Sequence, residues 1–96
     1  MAQYLTLFKF TGMVKGGGPE RFKKFTGIVE ELGGKIVYFG GLLGQYDVVL
    51  ITEYREMKDA MLGSARIGNL IGAQSHTQAI LEQDAFLQLL AHTPRD

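Results

Sequence analysis

Lys9, Asp47 and His76 are the residues of this chain with the chemistry that a small-molecule site needs, and they lie far apart in the sequence. An ammonium can hold an anion, a carboxylate can orient an imidazole, and the imidazole can then serve as a general base. Thr11 and Gln78 would add a hydroxyl and a carboxamide to fix a ligand by hydrogen bonds. A plainer structural reading makes Lys9 and Asp47 a cross-strand ion pair, with His76 a polar strand residue at the rim of a sheet. Both readings require that the ends of three strands come to lie side by side. His92, close to the last residue, is expected in solvent.

Other chemistries are excluded by the residues that are missing. The sequence contains no cysteine, which removes disulfides, thiol nucleophiles and thiolate metal sites. Two histidines do not make a multi-histidine centre, so neither a metal nor a cofactor is expected. There is no Gly-x-Ser-x-Gly elbow to present a nucleophilic serine. Glu30-Glu31 belongs to the solvated side of an amphipathic helix, not to an acid/base pair. The stretch Lys15-Gly-Gly-Gly-Pro19 is a glycine-rich entry to a helix, an arrangement that can cradle phosphate on backbone amides. It lacks the Gly-Lys-Ser/Thr ending and the dinucleotide spacing, and a flexible connection is expected instead. Arg21 is expected to pair within its own helix, with the glycine-rich loop as the alternative. Phe22, Phe25, Tyr38 and Phe39 read as core, because no basic groove accompanies them as it would a platform for bases.

The elements that must position these residues follow from periodicity. Tyr4 to Thr11 is rich in aromatic and β-branched types and reads as a strand. After the glycine-rich loop, Pro19 and Glu20 suit a helix start, Phe22, Phe25, Val29 and Leu32 recur at helical spacing, and Gly33-Gly34 ends the run. Lys35 to Leu43 reads as a second strand, bent at Gly40-Gly41, and Gly44-Gln45 turns into the third, Tyr46 to Tyr54. A second helix is expected from Glu56 to Ile71 despite Gly63 and Gly68. A polar fourth strand follows over Ala73 to Glu82, and Asp84 is placed to cap a short last helix. The order β-α-β-β-α-β is the split βαβ pattern of ferredoxin-like folds, an α+β class with a four-stranded antiparallel sheet in the order 4-1-3-2. Residues 1–96 are read as one domain.

That topology sets the end of the first strand beside the starts of the third and fourth. Alternation then gives Lys9, Thr11, Asp47, His76 and Gln78 a common face turned away from the helices, with Tyr46, Phe8 and Phe10 on the helix side. The same face carries Leu5, Leu7, Val49 and Ile51, too apolar for water, so a partner copy is expected to cover it. The alternative is that the last helix folds back over it. A chain this short, without disulfides or metal, gains most from oligomerisation.

The segment Leu43-Gly-Gln-Tyr-Asp-Val-Val-Leu-Ile51 resembles the signature of the GYD domain family. Tyr4-Leu-Thr-Leu-Phe-Lys-Phe-Thr11, Pro19-Glu-Arg21 and Glu31-Leu-Gly-Gly-Lys35 resemble that family's pattern in its order, to about Phe86. The resemblance implies a subunit of a dimeric α/β barrel, similar in outline to the effector-binding domains of feast/famine regulators, and implies no particular activity or catalytic residue. Ser75-His76-Thr77-Gln78 departs from it in being polar and carrying a histidine.

The ten basic and ten acidic residues cancel. No clustered cations are available to release counterions, so nucleic acid is not expected as a partner. No apolar run is long enough to cross a bilayer and the first residues lack a signal-peptide pattern, so a cytoplasmic protein away from membranes is expected. The leading functional expectation is a non-enzymatic homo-oligomer, dimer or higher, that binds a small ligand or a partner through the sheet cavity or subunit seams. The runner-up is a small cofactor-independent barrel enzyme of isomerase or monooxygenase type. A purely structural assembly protein is the third.

Overall fold

The computed structural model describes residues 1–12 and 18–92. Most of the Lys15–Pro19 stretch lies outside them. The elements run β1 (Ala2–Phe10), α1 (Gly18–Glu31), β2 (Lys35–Gly41), β3 (Val48–Tyr54), α2 (Met57–Ile71), β4 (Ala73–Ala79) and α3 (Gln83–Ala91). The strands form one antiparallel sheet in the order β2-β3-β1-β4, the ferredoxin-like arrangement that the element order predicts.

Period-two alternation decides which face is covered. In β3, Val48, Leu50, Thr52 and Tyr54 are buried while the residues between them are half-buried, and in β1 Tyr4, Thr6 and Phe8 are buried in the same way. Against that face α1 sets Phe25 and Val29, and α2 sets Ala60 and Ile67. Two hydroxyls buried there, Thr6 and Ser64, satisfy one another, with Thr6 Oγ1 2.8 Å from Ser64 Oγ, and Thr6 Oγ1 also lies 3.0 Å from the hydroxyl of half-buried Thr77 on β4. Both long helices end on left-handed glycines, Gly33 (φ 75°) and Gly72 (φ 74°).

The glycines inside α2 have a packing reason. A Cβ at Gly63 would stand 2.5 Å from the Tyr54 hydroxyl, and one at Gly68 would stand 2.7 Å from the Ala73 carbonyl. Close approach of strand and helix at these points offsets the helix propensity that glycine forfeits.

Tyr54, 1% exposed, is the sheet's largest fully buried side chain. Burial first, and the nearby Asp59 carboxylate second, push its hydroxyl up to about 12 from 10.0. An unfolded chain would ionise this phenol near pH 10 while the folded chain keeps the proton. The contribution is thus complete below pH 10, and stability falls as pH rises toward about 12, by up to about 1.4 kcal/mol per pH unit. Urea unfolding of the native chain and Tyr54→Phe, followed from neutral to alkaline pH, should show the extra alkaline loss only in the native chain. Parallel curves would disprove it.

Several details differ from the sequence-based expectation. The irregularity in β2 falls at Val37, between the pairs Ile36–Thr52 and Tyr38–Ile51, rather than at Gly40-Gly41. The extra residue exchanges faces, so that Phe39 joins Phe25 under α1, with ring centroids 4.9 Å apart, and Tyr38 turns outward. The tight turn at Gly44-Gln45 is a longer irregular link, closed by the Leu42 N–H on the Asp47 carbonyl at 2.9 Å, and β3 starts at Val48. β4 stops at Ala79. Glu82, not Asp84, caps α3, its carboxylate accepting from the Ala85 N–H at 2.8 Å.

Among the described residues α3 packs on none of the other elements. Phe86, Leu87 and Leu90 remain about half-exposed on it. The alternative in which this helix covers the open sheet face of its own chain is therefore overturned.

Candidate functional site

The site assembles where β1 ends and β3 and β4 begin. Pairing sets Lys9 opposite Gln74, Leu7 opposite His76 and Leu5 opposite Gln78, all on the face away from the helices. From the other side of β1, the Asp47 N–H donates to the Phe8 carbonyl at 2.9 Å. The Asp47 carboxylate then turns along the sheet: Oδ2 accepts from the Phe10 N–H at 2.8 Å. The side chain takes the place of a backbone acceptor and ends the ladder there. The same oxygen lies 3.9 Å from Lys9 Nζ, with the two side chains 50% and 31% exposed. A pair that long and that wet contributes little to stability; the amide bond is the stronger hold on Asp47.

His76 meets an aromatic partner. Its ring lies 5.5 Å from that of Tyr46 with planes at 70°, an edge-on contact. Tyr46 thus sits on the open face, correcting its expected place under the helices. It precedes the first residue of β3, where strand alternation does not apply. Thr11 is elsewhere engaged: its N–H and its hydroxyl both donate to the Gly72 carbonyl, at 3.0 and 3.1 Å, fastening the end of β1 to the α2–β4 junction. Gln78 shares the open face but stands about 14 Å along the strand direction from Lys9. The structure therefore brings Lys9, Asp47, Tyr46 and His76 to one end of the open face and leaves Thr11 and Gln78 apart from them. A cation, a carboxylate and two rings at that end can orient a small polar molecule. Beside them the open face is apolar, with Leu5, Leu7, Val49 and Ile51 half-buried and Tyr38 exposed.

A second feature lies on the helix side, and sequence reasoning missed it. Phe22, Phe25 and Phe39 stand around a cavity of about 520 Å³, with Phe10, Val48 and Ile71 completing its apolar lining and Arg21 at its edge. The rings touch one another, Phe22 lying 5.2 Å from Phe39 and 5.5 Å from Phe25, yet Phe22 and Phe39 are still 41% and 42% exposed. The expectation that they are core is thus correct only for Phe25. The available signal was Gly40-Gly41. Gly41 pairs with buried Val48, so its position faces the helices, and a Cβ there would meet only the Asp47 carbonyl, 3.9 Å away. Arg21 reaches across to α2: its Nη1 donates to the Leu70 carbonyl in the last turn of that helix, where carbonyls lack helical partners.

Among the described residues there is no group of three metal-ligating side chains, and no helix is long and apolar enough to cross a membrane. No protein-family model and no curated protein matches the chain. Solved structures do. The leucine response regulatory protein LrpA of Mycobacterium tuberculosis superposes with a TM-score of 0.58 at 10% identity over 85% of this chain and 51% of that one. An AsnC family transcriptional regulator from Agrobacterium tumefaciens gives 0.54 at 17%, covering 85% and 51%. MtbAldR gives 0.55 at 11%, covering 85% and 54%. At such identities the likeness is one of fold, the ferredoxin-like fold, and the chain spans about half the length of each neighbour.

Proposed function

We propose that this chain is a non-catalytic, GYD-type domain whose copies associate through their open sheet faces as a dimeric α/β barrel and hold a small ligand in the space so closed. The observation that carries this reading is the open face itself. Leu5, Leu7, Val49 and Ile51 form an apolar surface that α3 does not cover, and at one end stand Lys9, Asp47, Tyr46 and His76. A second copy removes that surface from water and converts the polar end into the mouth of an enclosed site. One fold neighbour is named for its response to leucine, which supports an effector-binding role for a chain that spans half of it. Lys9 supplies the charge for an anionic group of the ligand, and His76 supplies a donor or acceptor beside the Tyr46 ring.

Native mass spectrometry of protein purified without denaturation tests both parts. The native chain should appear as a dimer or higher oligomer that retains a small added mass. Ile51→Glu, which places a charge at the centre of the face, should give a folded monomer without that mass. Lys9→Ala combined with His76→Ala should keep the assembly and lose the mass. A monomeric native chain, or an added mass untouched by either variant, overturns the proposal.

A further inference from the structure

We infer that α3 is an arm exchanged between two copies of this chain, its apolar stripe of Phe86, Leu87 and Leu90 covering the β2 edge of the partner while the partner's arm returns the same contact. The inference rests on the dimer proposed above and names what completes its interface.

Two apolar surfaces need cover, and one chain cannot join them. Phe86, Leu87 and Leu90 share a side of α3 by their helical spacing and are about half-exposed, on a helix that packs against no other described element. β2 is an end strand of the sheet and presents Val37 and Tyr38, also about half-exposed. An apolar edge strand invites foreign strands, and covering it with a helix is one of the ways proteins protect it. The opposite edge, β4, has a polar rim and lacks that need. α3 follows β4 directly, anchored where the Ile80 N–H donates to the Gln3 carbonyl at 3.0 Å. The arm therefore departs three strand spacings from the edge that needs it, about 14 Å.

A two-fold axis joins the two surfaces. If it runs along the strands between stacked open faces, it reverses the strand order from left to right and leaves the strand ends in step. Each β4 then lies over the partner's β2, and each α3 arrives at the Lys35 end of that strand, because Lys35 pairs with Glu53 and Glu53 with Gln3. Charge agrees with this approach: Asp84 stands in the first turn of α3, and Lys35 is exposed at the start of β2. Area agrees as well. A lasting dimer buries about 800 Å² per copy, and Leu5, Leu7, Val49 and Ile51 are half-buried already, so stacked faces alone remove little more surface from water. The arm and the β2 edge supply the large side chains that the faces lack. Since each copy both gives and receives an arm, the contact closes at two copies and leaves neither surface bare.

The test compares the native chain, Leu87→Lys combined with Leu90→Lys, and Ile51→Glu by native mass spectrometry over a range of concentration. The α3 variant should dimerise about 30-fold or more weakly and keep the dispersed amide spectrum of a folded chain, because its helix packs on no other described element of its own copy. Gln88→Cys then places the sole cysteine on an exposed α3 position, where it takes a nitroxide. Mixed with ¹⁵N-labelled native chain, the spin-labelled chain should broaden the amides of Val37 and Tyr38 in the other copy and spare those of α1 and α2. An α3 variant that dimerises as tightly as the native chain, or broadening that misses Val37 and Tyr38, overturns the exchanged arm, and a monomeric Ile51→Glu in that case still upholds the stacked faces. A dimer lost by the α3 variant and kept by Ile51→Glu overturns the stacked faces and upholds the arm. A monomeric native chain overturns both.

Discussion

Gly34→Ala should lower stability by about 3 kcal/mol in urea denaturation, at the upper end of what overpacking costs. A Cβ at this position would lie 2.3 and 2.5 Å from two carbons of the Tyr54 ring and 2.9 Å from the Glu53 carbonyl oxygen. The ring cannot retreat, because Gly63 closes the other end of its slot and the residue is 1% exposed. Gly27→Ala supplies the contrast. That glycine is an exposed α1 position with nothing within 4 Å of an added Cβ, so the same substitution should stabilise by about 0.5–1 kcal/mol through helix propensity. The cost of Gly34→Ala should also shrink in a Tyr54→Leu background, since the two changes share one contact. A Gly34→Ala chain within about 0.5 kcal/mol of the native one would mean that the slot is looser than its geometry indicates.

Phe25→Ala should be more damaging still, about 3–5 kcal/mol. Phe25 is 2% exposed, packs edge-on to Phe39 and close to Phe22, and is one of only two buried residues on the described part of α1. Its loss would leave Val29 as the helix's single fully buried anchor. It would also merge the vacated space with the hollow beside it, so the core could not relax by simple collapse. Hydrogen exchange should show α1 amides losing protection more than those of β3. Phe22→Ala, by comparison, removes a ring that is already 41% exposed and should cost about 1 kcal/mol or less. Equal costs for the two variants would contradict the assigned core.

The sheet order and both long helices were legible in the sequence because their periods are plain. β3 alternates strictly between buried and half-buried, and α1 repeats Phe22, Phe25 and Val29 at helical spacing. Antiparallel adjacency sufficed to bring Lys9 near Asp47, since neighbouring strand ends follow from strand order. What escaped was whatever depends on a third element. The slip at Val37 is chosen by which rings pack beneath α1, and β2 alone carries no trace of that choice. Tyr46 lies two residues before β3, so extrapolated alternation sent it to the wrong face. Thr11 falls one residue past the end of β1, and its bonds go to a helix end and not across the sheet face. The place of α3 was equally hidden: its leucines show that it needs an apolar surface, not whose.

The pairing of Thr6 with Thr77, 71 residues apart, also bears on how the chain reaches this fold. β1 is a central strand, yet one of its two neighbours is β4, which is made after both long helices. Throughout synthesis, and again in refolding, β1 must wait with one edge unpaired and its leucines and phenylalanines exposed, while the loop-closure entropy of a long intervening segment delays its partner. Another chain in the same state offers a competing edge, so misassembly is a kinetic hazard of the topology itself. β4 ends that hazard when it docks. As the final strand it covers β1 and turns outward a short rim bearing Gln74, His76 and Gln78, polar enough to discourage any further strand from adding on.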